Sequence, residues 1–242
     1  MRSVHVLLAT VALTVFSVSS VIAMPSTRQM TEESLSFGRD IDFVENVKVD
    51  IAGAEASADI SVRLPGTIVN GNVVPVFIDS SLNGVKAIDL YSNRHNDRIA
   101  SFTLGKVTLP YVSTRFRVGK SGELYVVMRA GNKDYYAVGN LNVLKSGQEN
   151  MRACDTDARF YTTVEDGVVT IKYMIMHCMN VGRYIKWMKL SHDGETIVES
   201  ELSLGVSRNP FFSFKFMGNE RGSYKLEWED TAGDKGVKIY RK

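Results

Sequence analysis

Two cysteines are the residues of this chain with the most distinctive chemistry. Cys154 lies in a polar stretch between two apolar halves, and Cys178 follows an apolar run. A thiolate can hold a covalent group when it is exposed and when nearby positive charge lowers its pKa. Arg152 favours the thiolate of Cys154, whereas the carboxylates of Asp155 and Asp157 disfavour it. The sequence therefore predicts Cys154 as a candidate carrier nucleophile.

A structural disulfide between Cys154 and Cys178 is the alternative. Two cysteines in an exported chain often pair, because the compartment is oxidising. This bridge would close a loop of about 25 residues, which contributes ~3 kcal/mol in the chain-entropy model. It would also pin the polar stretch to the second half of the chain. Both alternatives, a free carrier thiol and a structural disulfide, remain open at this point.

Soft metal ligands are concentrated in the segment Met174–Met179. Methionine, histidine and cysteine suit copper(I). On a strand, however, Met174, Met176 and Cys178 would share one face, while His177 would lie on the other. Methionine on a sandwich strand usually fills a core. We therefore predict no metal site and no cofactor.

The histidines beyond the N-terminal segment form no recognisable catalytic set. His95 and His192 lie in polar loops or turns, and His177 precedes Cys178. The sequence contains no Ser-His-Asp order, no paired carboxylates and no glycine-rich phosphate loop followed by a helix. We therefore expect a protein that is not an enzyme.

The N-terminal segment, residues 1–23, has the layout of a secretory signal peptide. It contains Arg2, a short apolar run from Val6 to about Val18, and Ala23 at the expected cleavage point. The run is shorter than the roughly 20 residues that span a membrane. We expect a protein exported to a bacterial periplasm, with a polar tail over residues 24–45.

The charge pattern argues against two classes of partner. The formal net charge is +2, and lysines and arginines are scattered among acids along the sequence. Nucleic-acid and polybasic membrane binding need a concentrated basic face. The sequence therefore predicts neither a nucleic-acid partner nor a membrane partner.

Short strands separated by turns account for nearly all of the remaining sequence. Runs rich in Val, Ile, Tyr and Phe alternate with Gly, Asn and Asp at regular spacing, which is typical of a β-sandwich or barrel. In Phe211–Phe216, one face carries Phe212, Phe214 and Phe216. Asp193-Gly194 is a strong hairpin signal, and Asn70-Gly71 also indicates a tight turn. The sequence therefore predicts an all-β fold.

Five segments of the chain carry recognisable motifs: Asn70–Val76, Tyr111–Arg117, His177–Gly182, Ser207–Phe214 and Leu226–Asp230 followed by Gly233. These motifs resemble the two subunits of the SoxYZ sulfur-oxidation carrier, in the order SoxY then SoxZ. The first two are similar to SoxY strands, and the other three are similar to the turn and strand motifs of SoxZ.

The resemblance implies two immunoglobulin-like β-sandwich domains in tandem within one fused chain. The SoxY-like domain would occupy residues 46–144, the linker or carrier-arm region 145–160, and the SoxZ-like domain 161–242. In this family a cysteine on a mobile Gly-Gly-Cys-Gly-Gly arm holds a sulfur intermediate. The linker lacks that motif, and Cys154 lies seven residues beyond Gly147.

The resemblance also implies redox partners in the periplasm. A c-type cytochrome would conjugate thiosulfate to Cys154, and a hydrolase would release sulfate. The alternative is an interaction module that has lost the carrier arm. It would dock on a quinoprotein dehydrogenase or its cytochrome, with Cys154 and Cys178 as its structural disulfide.

Overall fold

The computed structural model describes residues 48–49, 51–147 and 156–242, and every regular element within them is a β-strand. The strands are β1 Glu55–Ala56, β2 Ile60–Arg63, β3 Val74–Ser80, β4 Val85–Ser92, β5 Ala100–Leu104, β6 Thr108–Phe116, β7 Gly122–Ala130, β8 Lys133–Leu141, β9 Ala158–Glu165, β10 Val168–Ile175, β11 Ile185–His192, β12 Glu195–Leu202, β13 Phe211–Met217, β14 Ser223–Asp230 and β15 Lys235–Arg241. This confirms the predicted all-β fold.

Side-chain alternation explains why these segments form strands. Along β13, Phe212, Phe214 and Phe216 are buried in the core, while Phe211 and Lys215 lie on the other side of the sheet. A period of two places alternate residues on opposite faces of a strand. The aromatic residues of β13 are therefore divided between an inner and an outer face.

The hairpin between β11 and β12 has the predicted chemistry. Asp193 and Gly194 both have positive φ, at 48° and 85°. A two-residue type I′ turn requires this backbone conformation at both central residues. Gly71, in contrast, is not among the residues with positive φ. A Cβ atom at Gly71 would lie 2.0 Å from the carbonyl O of Val118, so close approach of two backbones requires glycine there.

Two sheets pack face to face. The larger has nine strands in the order β1-β8-β7-β4-β5-β12-β11-β14-β15, and the smaller has six in the order β2-β3-β6-β13-β10-β9. Each sheet contains strands from both halves of the chain. The halves join where β5 pairs antiparallel with β12 and where β6 pairs antiparallel with β13.

The core is continuous across this junction. The ring centroid of Phe102, on β5, lies 5.8 Å from that of Phe212 and 5.5 Å from that of Phe214, both on β13. Both contacts have the edge-to-face geometry that aromatic pairs prefer. Apolar side chains from the two halves form one buried cluster. The tandem sandwiches therefore share both sheets and a single hydrophobic core.

Several sequence-based expectations lie outside the described residues. These are the signal peptide over residues 1–23, the polar tail over 24–45, and the central part of the linker. The strand β9 begins at Ala158, inside the predicted linker range, and was not among the predicted strands. Within the described part of the chain, no helix is long and apolar enough to cross a membrane.

Candidate functional site

The N-terminal end of the linker, described up to Gly147, is fixed to the SoxY-like half by backbone hydrogen bonds. The N–H of Leu144 donates to the O of Ile68 at 2.9 Å, and the N–H of Gly71 donates to the O of Lys145 at 3.1 Å. Gly147 then packs against the same turn. A Cβ atom there would lie 2.3 Å from Oδ1 of Asn70, so a larger residue would require the side chains of Asn70 and Asn72 to shift.

The other described end of the linker is fixed at Asp157. Its carbonyl O accepts a hydrogen bond from the N–H of Met176 at 2.7 Å. Its Oδ1 accepts from the Nζ of Lys238 at 2.7 Å and from the N–H of Ala158 at 2.8 Å. The Lys238 ammonium, followed by the backbone N–H of Ala158, holds the pKa of the Asp157 carboxyl below its usual value. The chain is therefore attached next to the turn that contains Cys178.

Cys178 lies in a tight turn after β10. Its side chain is 6% exposed, and its Sγ lies 3.7 Å from the carbonyl O of Arg183. Asn180 and Arg183 close the turn through a pair of backbone hydrogen bonds of 3.0 and 3.1 Å. Cys178 is in the disulfide-bonded form. The chain has one other cysteine, Cys154, which lies outside the described residues. Both the carrier role of Cys154 and its pairing with Cys178 therefore remain predictions.

His177 has a defined hydrogen-bonding arrangement beside Cys178. Its Nδ1 accepts from the N–H of Met179 at 3.1 Å, so its Nε2 carries the proton and lies 3.4 Å from Oδ2 of Asp230. The backbone N–H of His177 donates to Oδ1 of Asn209 at 3.1 Å. Burial lowers the pKa of His177 below its usual value, which favours the neutral ring.

Asp230 connects the turn to the end of β14. Its Oδ2 accepts from the Nε of Arg183 at 2.7 Å, and its Oδ1 accepts from the N–H groups of Ala232 and Asp234 at 2.9 Å each. Burial acts to raise the pKa of Asp230, but these hydrogen bonds, led by that of Arg183, hold it below its usual value. The carboxylate is therefore ionised and held within the fold.

A polar cleft of 420 Å³ lies at this end of the linker. It brings together Asp157, at the fixed end of the linker, and the ion pair of Arg183 with Asp230. Its charged lining residues are Asp157, Arg183, Asp230, Asp234, Lys235 and Lys238. The cleft could hold a group attached to a nearby side chain, since it offers both hydrogen-bond donors and acceptors.

Only the first two residues of the candidate copper segment, Met174 and Ile175, belong to a strand. The strand β10 ends at Ile175, so the alternation expected through Cys178 stops there. The Sδ of Met179 lies 3.3 Å from the backbone N of Ile185 and is fully buried. Among the described residues, no group of three His, Cys, Asp or Glu side chains is arranged to hold a metal ion.

The two remaining histidines lie on other elements. His95, in the loop after β4, is 9% exposed, and burial followed by the charge of Arg117 lowers its pKa to about 4. The ring of His192 stacks on Tyr224, with centroids 4.4 Å apart. Neither residue belongs to the cleft beside Cys178.

Two charged residues of structural importance were not identified from the sequence. Arg117 is completely buried at the junction, where its backbone N–H donates to the O of Gly205 at 2.7 Å. Asp230 organises the Cys178 turn. Both lie within motifs that resemble SoxY and SoxZ, and only this location in the sequence could have pointed to them.

Comparison with known families assigns both halves of the chain. Residues 47–147 match the family described as sulfur oxidation protein SoxY, and residues 159–239 match the family described as sulphur oxidation protein SoxZ. No curated protein matches.

Solved structures include one from the same group of proteins. The sulfur carrier protein SoxY from Chlorobium limicola f thiosulfatophilum is 33% identical over 37% of this chain and 79% of its own, with a TM-score of 0.34. A marsupial T cell receptor is 10% identical over 75% of this chain and 94% of its own, with a TM-score of 0.27. A beta-glycosidase from Bacteroides vulgatus is 12% identical over 77% of this chain and 25% of its own, with a TM-score of 0.25.

Proposed function

The chain belongs to the SoxYZ type of sulfur-oxidation protein, with a SoxY domain followed by a SoxZ domain, and from this we propose that it is a carrier that holds a sulfur intermediate covalently on Cys154. SoxY and SoxZ are carrier or adaptor proteins rather than catalysts, and they work with other sulfur-oxidation proteins. The proposed partners, a c-type cytochrome and a sulfate-releasing hydrolase, would supply the catalysis in the periplasm after export.

The attachment of the linker is the observation that carries this proposal. Cys154 comes three residues before Asp157, and three extended residues span about 10 Å. Asp157 is hydrogen-bonded to Met176 and Lys238 and lines the polar cleft, so only this length of chain separates Cys154 from the cleft. This short separation supports a role of the cleft in binding a sulfonate or persulfide carried on the thiol.

The proposed loading step is a two-electron oxidation. The Cys154 thiolate and the outer sulfur of thiosulfate form a new S–S bond, and the c-type cytochrome accepts two electrons in successive one-electron steps. Hydrolysis by the second partner would then break the bond between sulfur and the sulfonate group, release sulfate and leave a persulfide on Cys154. The carrier supplies the thiolate, which is the nucleophilic form of cysteine.

The disulfide-bonded form of Cys178 favours a second candidate function. A permanent bridge between Cys154 and Cys178 would hold the linker on the SoxZ domain and remove the free thiol. The protein would then be an interaction module that docks on a quinoprotein dehydrogenase or its cytochrome. Such a bridge would be structural, because Cys178 is nearly buried and belongs to a turn fixed by His177 and Asp230.

Thiol counting and mass spectrometry separate the two functions. The purified protein and its Cys178→Ser variant are exposed to thiosulfate with ferricyanide as oxidant, or to polysulfide, and the intact masses are measured. The carrier predicts one thiosulfonate or persulfide adduct per chain, located at Cys154 by peptide mapping. The matched Cys154→Ser variant should take up no adduct at position 154. If Cys178→Ser has a free Cys154 thiol that remains unmodified, the carrier function is wrong.

A further inference from the structure

The outer face of the six-stranded sheet carries an excess of positive charge, and we refer to it as the cationic face. Alternation along the strands places five basic and two acidic side chains on the outward positions that the structure describes. The basic residues are Arg63, Arg115, Arg159, Lys172 and Lys215, and the acidic ones are Asp79 and Glu165. These cations are far apart in the sequence, and the sheet topology gathers them.

Three of the five cations of this face contact aromatic rings. Arg115 lies over the ring of Phe211 at 4.8 Å, and Lys215 lies over the ring of Tyr111 at 4.5 Å. Lys172 lies 5.9 Å from the ring centroid of Tyr161. Among the described residues, none of the five cations forms an ion pair. Their positive charge is therefore not neutralised by ion pairs within this part of the chain, although the charge of Arg159 acts on the carboxylate of Asp157.

A shallow trough of 230 Å³ lies at the centre of the cationic face. Its floor is the pair Ser113 and Ser213, which are opposite each other on β6 and β13, where the two halves meet. The Oγ of Ser213 is buried and has no hydrogen-bond partner within the described part of the chain. The larger side chains that line the trough are those of Phe77, Tyr111, Arg115, Lys172 and Phe211.

One row of side chains crosses the whole sheet through this trough. The strand registers align Arg63, Phe77, Ser113, Ser213, Lys172 and Tyr161 in that order. At about 4.8 Å between neighbouring strands, five intervals span ~24 Å. An extended segment of roughly seven residues has that length. Phe77 and Tyr161 remain 43% and 60% exposed along this row.

We propose that the cationic face is the docking surface for an acidic segment of a partner protein, with one carboxylate seated in the trough. Unneutralised cations attract an acidic surface and specify its orientation. A buried hydroxyl without a partner gains a hydrogen bond when a carboxylate reaches it. The exposed rings of Phe77 and Tyr161 supply the apolar contact that protein interfaces use.

The cation–aromatic contacts favour a protein over a single-stranded nucleic acid. Protein surfaces that bind single-stranded nucleic acids present exposed aromatic ring faces on which bases stack. Here Arg115 covers the ring of Phe211, and Lys215 covers that of Tyr111. The N–H donors of these cations remain suited to carboxylates. The docking surface is independent of the sulfur chemistry at Cys154, so it extends beyond the proposed carrier function.

An NMR titration of the full-length mature protein tests this surface. The probe is an acidic peptide of about eight residues that alternates glutamate with serine, matched by a peptide with glutamine in place of glutamate. Amide shifts are followed at low ionic strength, where exposed charges are least screened. We expect the acidic peptide to shift amides of β6, β10 and β13, and the glutamine peptide to bind at least about tenfold more weakly.

Two double variants provide the matched comparison. Arg159→Glu with Lys172→Glu reverses two exposed cations of the cationic face, and we expect about tenfold weaker peptide binding. Lys225→Glu with Lys235→Glu makes the same charge change on the nine-stranded sheet and should leave binding within about twofold. Circular dichroism confirms that each variant is folded.

Several outcomes would overturn the docking surface. Absence of shifts on β6, β10 and β13, or equal losses in the two double variants, would contradict it. Preferential binding of a single-stranded oligothymidylate or of anionic phosphatidylglycerol vesicles through the same cations would assign the face to another class of ligand. Because the titration involves neither cysteine, its failure leaves the mass-spectrometric test of Cys154 intact.

Discussion

The two outer faces of the sandwich differ in how their charges are satisfied. On the nine-stranded sheet, Arg98 pairs with Asp89 at 3.2 Å and with Glu201 at 2.5 Å, and Lys225 pairs with Glu227 at 2.8 Å. On the six-stranded sheet, the five described cations make no such pairs, and three of them lie over aromatic rings instead. One face is balanced within the molecule, and the other has charge available for a partner.

The contrast extends to the junction between the two halves. On the nine-stranded sheet, a 300 Å³ cleft contains Arg98, Glu199 and Glu201, and the Nε1 of Trp187 donates to Glu199 at 2.8 Å. On the opposite face, the trough above Ser213 contains cations and a buried hydroxyl without a partner in the described chain. The same pairing of halves therefore produces one cleft whose arginine is paired with carboxylates and one trough that acidic side chains of the described chain do not line.

The largest expected effect separates inward from outward rings on the six-stranded sheet. Phe214→Ala should lower the free energy of unfolding by about 3–5 kcal/mol, because it leaves a cavity at the junction next to Phe102. Phe77→Ala, on the cationic face, should cost less than about 1 kcal/mol, since that ring is 43% exposed. Urea denaturation measures both. Equal losses would show that the outer rings stabilise the fold rather than remain available for binding.

The second effect locates the cause of acid destabilisation. Burial lowers the pKa of His95 to about 4, below its unfolded value near 6.5. The unfolded chain therefore binds the proton first, and stability falls as the pH drops from ~6.5 to ~4, by up to about 3 kcal/mol. His95→Gln should remove most of this loss in urea titrations at pH 7 and 4.5. If the variant keeps the full loss, protonation of His95 is not its cause.

The third effect compares a buried ion pair with an exposed one. Asp230 has a side chain that is 2% exposed, and Asp230→Asn should cost about 2 kcal/mol at pH 7, because it weakens the bonds to Arg183 and His177. The difference should shrink at low pH, since the lowered pKa of Asp230 stabilises the fold only while the carboxylate is ionised. Asp134→Asn, whose partner is Arg129, is the exposed control and should change stability by less than about 0.5 kcal/mol. Thermal melts of both variants at pH 7 and 3 measure the effects.

Local patterns in the sequence were sufficient to predict the strands, because alternation is a property of neighbouring residues. The predicted division of β13 into an inward face with Phe214 and an outward face with Lys215 agrees with the structure. The strand β9 was missed, since only Ala158 and Thr162 of its residues are buried and its apolar signal is weak. The sharing of both sheets between the halves depends on long-range pairing, which no local pattern encodes.

The charged features could be predicted only in part, for the same reason. Cys154 and Cys178 were found by residue type, but the arrangement of His177, Arg183 and Asp230 joins two segments of the chain, the turn after β10 and the end of β14. The cationic face is similar, because its five basic residues alternate with acids along the sequence and become neighbours only through strand order. Scattered charge in a sequence therefore does not exclude a concentrated charge in the fold.

The smallest effect gives the most direct test of the charge contrast between the two faces. Thr170 lies opposite Lys215 on the six-stranded sheet, and Thr103 lies opposite Glu199 on the nine-stranded sheet. Thr170→Glu should stabilise the protein by about 0.2–1 kcal/mol, whereas Thr103→Glu should destabilise it by a similar amount, because directly opposed side chains interact across strands. Urea denaturation at low and high salt measures both, and salt should reduce both differences. Loss of stability in both variants would indicate that the β-propensity of threonine decides the result. Changes of the same sign that salt does not alter would contradict the charge difference between the faces.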